Sequence, residues 1–201
     1  MNSDSRTRRR VLAISGVVLV VVVAVVVIVL VSGGSPKTTT TAGTTAHPGS
    51  LVLAPGDAKS LGFATTVQKA KKTSVKDQKG CTDSVEAVYE NSANKTGLVS
   101  DVLICQSTAA ASTALATARK EVTVDSSLQA PKGLGSEAFA TASNAPEYLM
   151  VWRAGDKVAI TAIDLDVTAA STSTTAASPP PLTASQEATL KQAALQQNSL
   201  Y

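Results

Sequence analysis

Hydrophobic and polar positions divide the chain into blocks with different periodicities. Residues 11–31 are almost entirely Val, Leu, Ile and Ala, with only Ser15 and Gly16 breaking the run. At helical rise this stretch is about 31 Å long, enough to cross a hydrocarbon core, so the pattern predicts a membrane-spanning helix. Residues 32–50 reverse the composition, being Gly, Ser, Thr, Pro and Ala almost throughout. Such a segment has too little apolar surface to bury, which predicts a disordered stalk. Residues 168–184 repeat that composition and predict a linker, leaving 51–167 as a domain of ordinary single-domain size.

Within 51–167 the period shortens to two. Val85, Ala87 and Tyr89 alternate with Glu86 and Glu90 over 84–90, the signature of a half-buried strand. Residues 98–105 are apolar enough for a more central strand, and the 91–97 turn joins the two as an antiparallel hairpin. A register that sets Cys81 opposite Cys105 also sets Val85 opposite Asp101 and Ala87 opposite Val99. It places the cysteines on one face with Val85, Tyr89, Val99 and Leu103. Next, Ser107 or Thr108 caps a helix whose apolar stripe is Ala109, Ala111, Leu115, Ala118 and Val122, with Lys120 and Glu121 left in water.

Strands are predicted at 137–143, 147–153 and 157–167, the last two joined through Ala154-Gly155-Asp156-Lys157. Glycine at the first central position suits a type II′ turn and pairs Trp152 with Ala159 and Met150 with Thr161. A further strand at 63–68 and a helical turn at 57–61 are weaker signals. The sum is an α+β domain: an antiparallel sheet of about five strands with one packed helix on one face. Residues 185–201 form a C-terminal helix with Ser185 as its cap, which docks on the open sheet face or on a partner, or stays a loose tail.

Charge then orients the chain. Arg6, Arg8, Arg9 and Arg10 precede the apolar run, while the far flank holds only Lys37. Arginines stay inside, so 1–10 is a cytoplasmic tail, 11–31 an uncleaved signal anchor, and everything beyond 32 extracytoplasmic at the cell membrane. The formal charge of +3 belongs to this N-terminal part. From residue 51 onward 11 Lys and 2 Arg face 14 Asp and Glu, which leaves the exported part near −1 and argues against nucleic acid as a partner. In an oxidising compartment Cys81 and Cys105 are expected to form a disulfide.

Gly80-Cys81, the 85–89 strand, the Ala-rich helix, residues 133–138 and Val151-Trp152-Arg153-Ala154-Gly155 together resemble small exported, membrane-anchored α+β proteins of actinobacteria. The resemblance spans roughly 51–167 and implies one domain on a Thr-rich stalk, in a group whose members mostly lack an assigned activity. It carries over no functional residue.

Catalytic signatures are missing from the sequence. His47, the single histidine, sits in the stalk beside Pro48, so a His-dependent triad is not built here, and no cofactor or metal motif occurs. Asp164 and Asp166 alternate on one strand but are two carboxylates where calcium needs six to eight oxygens. Asn94-Lys95-Thr96 matches a glycosylation acceptor by its spacing alone. The candidate contact residues are the basic run Lys69, Lys71, Lys72, Lys76 and Lys79, together with Arg153, suited to an envelope protein or an anionic envelope polymer. The expectation is a non-enzymatic binding or interaction domain, held to the bilayer by residues 11–31 and using the open sheet face or the basic 69–79 region as its contact surface. The alternative is a small-ligand sensor or carrier, for a lipid or metabolite, with a pocket between helix and sheet.

Overall fold

A computed structural model describes residues 48–75, 80–122, 128–135, 137–142, 147–165 and 181–201. The anchor at 11–31, most of the stalk, Lys76, Lys79, His47 and Asp166 lie outside the described residues. Among the described residues no helix is long and apolar enough to cross a membrane.

Six strands make one antiparallel sheet: β1 (Thr65–Ser74), β2 (Cys81–Asn91), β3 (Thr96–Cys105), β4 (Glu137–Ala142), β5 (Glu147–Ala154) and β6 (Lys157–Asp164). Their spatial order is β1-β2-β3-β6-β5-β4. Two three-stranded meanders therefore meet where β3 pairs with β6, with Asp101 opposite Ile160 and Leu103 opposite Val158. The sheet gains one strand on the sequence reading, because β1 continues from Thr65 through the lysines to Ser74. Its residues are exposed or half-buried throughout, so no apolar alternation betrayed its full length.

The β5–β6 hairpin has the expected register, with Trp152 opposite Ala159 and Met150 opposite Thr161. Gly155 has φ +61 while Asp156 is not in the positive-φ region, as a type II′ turn requires. The β2–β3 register differs from expectation. Cys81 does face Cys105, but an irregularity follows, so Val85 stands opposite Val102, Ala87 opposite Ser100, and Glu86 opposite Asp101. One extra residue in a strand switches all later side chains to the other face. The cysteines consequently pack with Val88, Val99 and Leu103, not with Val85 and Tyr89.

Both faces are covered, which corrects the reading of a sheet covered on one side. Helix α2 (Thr108–Glu121) lies on the face of Val151, Ile160 and Phe139, contributing Ala111 and Leu115. Ser107 is its cap, accepting from the Ala110 amide at 3.1 Å. The opposite face carries Val85, Tyr89, Met150, Trp152 and Ile163 under helix α3 (Ala184–Asn198), whose Leu190, Ala193 and Ala194 are fully buried. The 51–53 stretch and the short helix α1 (Pro55–Ser60) complete that layer, with Val52, Leu53 and Ala58 in the core. Thr183, not Ser185, caps α3: it accepts from the Gln186 amide at 3.2 Å, and Gln186 Oε1 accepts from the Thr183 amide at 2.9 Å.

Asn198 ties the end of α3 to the sheet. Its Oδ1 accepts from the Trp152 indole at 2.9 Å and its Nδ2 donates to the Gly133 carbonyl at 3.0 Å. The loop there sits so close that a Cβ on Gly135 would overlap the Arg153 carbonyl oxygen and lie 3.0 Å from Trp152 Cδ1. Gly135→Ala is expected to lower the denaturant midpoint by an amount equivalent to about 1–3 kcal/mol. Gly56→Ala, where a Cβ meets nothing within 4 Å, is the control and should leave the midpoint essentially unchanged.

Candidate functional site

The structure distributes the expected contact residues unevenly. Lys69, Lys71 and Lys72 are exposed along β1, which among the described residues pairs only with β2 and forms one edge of the sheet. These three lysines stand on an edge strand. Lys72 pairs with Asp83 at 3.2 Å, and Lys71 lies opposite Glu86. The β1–β2 ladder shifts twice, between Thr66 and Gln68 and between Gln68 and Lys71. Lysines and irregular pairing on an edge oppose uncontrolled strand addition, so backbone pairing with another sheet is disfavoured there and charge is what the edge presents. Pro48–Ser50, where the chain enters the described domain, packs against this same strand.

Arg153 is not brought to that surface. It lies at the opposite end of the sheet, on the α2 face, and its side chain is only 14% exposed. There it approaches Glu137 at 3.6 Å and donates to the Gly155 carbonyl at 3.3 Å. It ties β5 to β4 and to its own turn.

Cys81 and Cys105 form the expected disulfide, with an S–S distance of 2.08 Å. The bridge closes the wide end of the β2–β3 hairpin beside Gly80, whose Cα lies so near α2 that a Cβ would come within 2.6 Å of Ala110 Cβ. Gly80 has φ +82, a conformation in which glycine carries no steric penalty.

The chemically unusual feature joins Glu86, which alternation sends to solvent, to Asp101. Glu86 on β2 and Asp101 on β3 are direct cross-strand partners on the α2 face, and they are 7% and 5% exposed. Glu86 Oε1 accepts from Gln68 Nε2 at 2.7 Å. Among the described residues Glu86 Oε2 and Asp101 Oδ1 have no hydrogen-bond partner. Burial pushes the Asp101 carboxyl up to about 7, and the neighbouring Glu86 adds to that. Burial also raises Glu86, opposed by the Gln68 hydrogen bond and the Lys71 charge. The sequence signal was Glu86 and Asp101 in strands with apolar neighbours; a covered second face turns those positions into buried carboxyls.

On the other face a polar network joins the end of α3 to the sheet and to the 51–53 stretch. Gln197 accepts from the Thr161 hydroxyl at 2.6 Å and donates to the Asp101 carbonyl at 2.9 Å and to the Tyr201 hydroxyl at 3.1 Å. Tyr201 in turn donates to the Leu51 carbonyl at 2.7 Å, closing the terminal helix against the 51–53 stretch. Ser100 Oγ accepts from the Leu53 amide at 3.0 Å. This network holds the layer together rather than offering free groups.

A groove of about 140 Å³ opens between the β2–β3 turn and the start of α3, lined by Phe63, Asn91, Asn94, Thr96 and Gln186 among others. Several of its polar groups are engaged locally: Asn91 Oδ1 accepts from the Ala93 amide, Asn94 Oδ1 from Thr96, and Gln186 in the helix cap. Among the described residues no group of three or more His, Cys, Asp or Glu is placed to hold a metal. The chain matches no protein-family model, and no curated protein matches it significantly.

Proposed function

We propose that the chain is a single-pass membrane protein whose extracytoplasmic, non-enzymatic domain is an interaction module at the cell envelope, with the β1 edge as its contact surface. The observation that carries this reading is the exposure of Lys69, Lys71 and Lys72 together on one edge strand, beside the point where the chain enters the domain. A stalk that begins at a membrane would bring that edge close to the bilayer, where anionic polymers and acidic protein surfaces concentrate. The open sheet face is no longer a candidate surface, because α3 and the 51–63 segment occupy it. The small-ligand alternative draws on the groove at α3, but 140 Å³ lies well below the ~300 Å³ at which ligand sites usually begin.

Crosslinking of the full-length chain in its native membrane, with a form carrying residues 1–50 alone as control, tests the reading. A partner should be captured only when the domain is present. The triple variant Lys69→Glu, Lys71→Glu, Lys72→Glu is expected to lower capture at least about tenfold, equivalent to ~1.4 kcal/mol, while leaving Tm within a few degrees. Undiminished capture by that variant removes the edge from the mechanism. Capture of nothing beyond the control removes the module.

A further inference from the structure

We propose that Glu86 and Asp101 form a proton-binding site, a carboxyl–carboxylate pair sharing one proton across β2 and β3, that makes the seating of β1 depend on external pH. The two residues face each other directly, on the same side of two interior strands. Side chains so placed have Cβ atoms about 4.5–5.5 Å apart, within reach of a shared hydrogen bond. Each is more than nine-tenths buried and each has one oxygen without a partner. Two buried carboxylates cannot both ionise at that separation without strong repulsion, and one proton between them removes the repulsion and gives a donor to an unpartnered oxygen.

The surroundings favour a proton over a larger cation. From β1 the pair meets the Gln68 amide and, opposite Glu86, the exposed Lys71. β6 presents Ile160, and α2 buries Ala111 and Leu115 on this face, its cation there being Arg119, whose guanidinium lies over the Phe139 ring of β4 at 5.7 Å. Through the sheet the Tyr201 phenol senses Asp101 and is itself raised, mainly by burial, so it is neutral over the relevant range. On the same face Asp164 stands opposite Gly97 at the far end of β3, four residues along the strand from Asp101, and Glu147 is its β5 partner. Two carboxylates and one amide fall far short of the oxygen shell that calcium takes.

Linkage to β1 follows from Gln68, which donates to Glu86 from between the two pairing shifts of that strand. With one proton in the pair, Glu86 stays inside and receives Gln68. Loss of the proton sets two like charges against each other, and the carboxylate nearer solvent and Lys71 is Glu86. Its outward turn takes the partner away from Gln68, so the middle of β1 loosens.

Carbon-13 NMR of the side-chain carboxyls, in the full-length chain in detergent micelles, reads the site directly. The Asp101 and Glu86 resonances should move together in two steps, one in the ordinary carboxylate range and one near neutrality. In Glu86→Gln the upper step should fall by about one pH unit or more, since the neighbouring charge is gone. Amide exchange over β1, corrected for the intrinsic rate, should rise severalfold between about pH 5 and pH 8 in the parent and stay flat in Asp101→Asn. Single steps for both carboxyls near their ordinary values overturn the proposal, as does an upper step unmoved in Glu86→Gln. A calcium-dependent shift of the Asp101 resonance at neutral pH also overturns it, assigning the pair to a metal cation. If Asp101→Asn does not fold, the parent and Glu86→Gln titrations still decide.

Discussion

Removing residues 182–201 is expected to abolish cooperative unfolding of the domain. Helix α3 buries Leu190, Ala193, Ala194 and Gln197, and under it lie Met150, Trp152 and Ile163, all nearly inaccessible in the intact chain. Burying one large side chain contributes about 1.5–3 kcal/mol, and the truncation uncovers several at once. The loss therefore exceeds ~5 kcal/mol, comparable with the whole stability of a small domain. Polar partners disappear as well: the Trp152 indole loses Asn198 and the Asp101 carbonyl loses Gln197. Trp152 is the chain's single tryptophan, so its fluorescence reports the event without labelling. Emission should shift to the red and the thermal transition should vanish. A truncated chain with blue-shifted emission and an unchanged Tm would show that α3 is an accessory and that the sheet carries its own cover.

Through Asp101, acid should act on this domain in the opposite sense to a salt-bridged carboxylate. Asp101 is held up to about 7 in the folded chain, against an ordinary carboxyl near 4 once unfolded. Between those values folding takes up a proton at Asp101, so its contribution to stability is greatest below the lower value, declines as pH rises toward the upper, and levels off above it. In most proteins carboxylates are depressed on folding and stability is lost toward acid. The same chain in Asp101→Asn isolates this contribution, because the remaining groups titrate in both.

Much of the architecture was legible wherever local chemistry decides it. Gly155-Asp156 dictates both the turn and the register of β5 and β6, because only one pairing places two residues between Ala154 and Lys157. Ser107 marks the start of α2 by supplying an oxygen to a free amide. The β2–β3 error has an equally local cause, an extra residue between Cys81 and Asp83 that leaves no mark on the apolar pattern. Non-local facts were out of reach. That β3 joins β6 rather than remaining an edge follows from tertiary pairing, and alternation along 84–90 says which side a residue faces but not whether a helix covers that side. Glu86 was assigned to water for that reason, and the pairing of Asp101 with it needed the corrected register. The β1 lysines were visible as a charge run, but Thr-Thr-Val-Gln-Lys-Ala-Lys-Lys-Thr-Ser has no apolar stripe to declare itself a strand.

Breaking the Cys81–Cys105 bridge is expected to cost about 3 kcal/mol, the chain-entropy value for a loop of this length. The loop contains the β2–β3 hairpin, so opening it frees the two strands that carry Glu86 and Asp101 and the attachment of β1. Local contacts at the bridge add to the effect. The Gln106 amide donates to the Gly80 carbonyl at 2.6 Å and the Cys105 amide to the Asp156 carbonyl at 3.0 Å, so the bridge lies where both meanders and the start of α2 converge. The double variant Cys81→Ser, Cys105→Ser should lower Tm by roughly 10 °C or more, as measured by Trp152 fluorescence. Reductant should reproduce that decrease in the parent and leave the variant unaffected. A variant that melts with the parent would mean that strand pairing and the two helical layers already confine the unfolded loop, leaving the bridge no entropy to remove. Beyond Tm, the variant separates fold from edge. If it remains folded at low temperature, capture through Lys69, Lys71 and Lys72 should persist there and fall as the hairpin opens. The seating of β1 depends on β2, the strand with which it pairs.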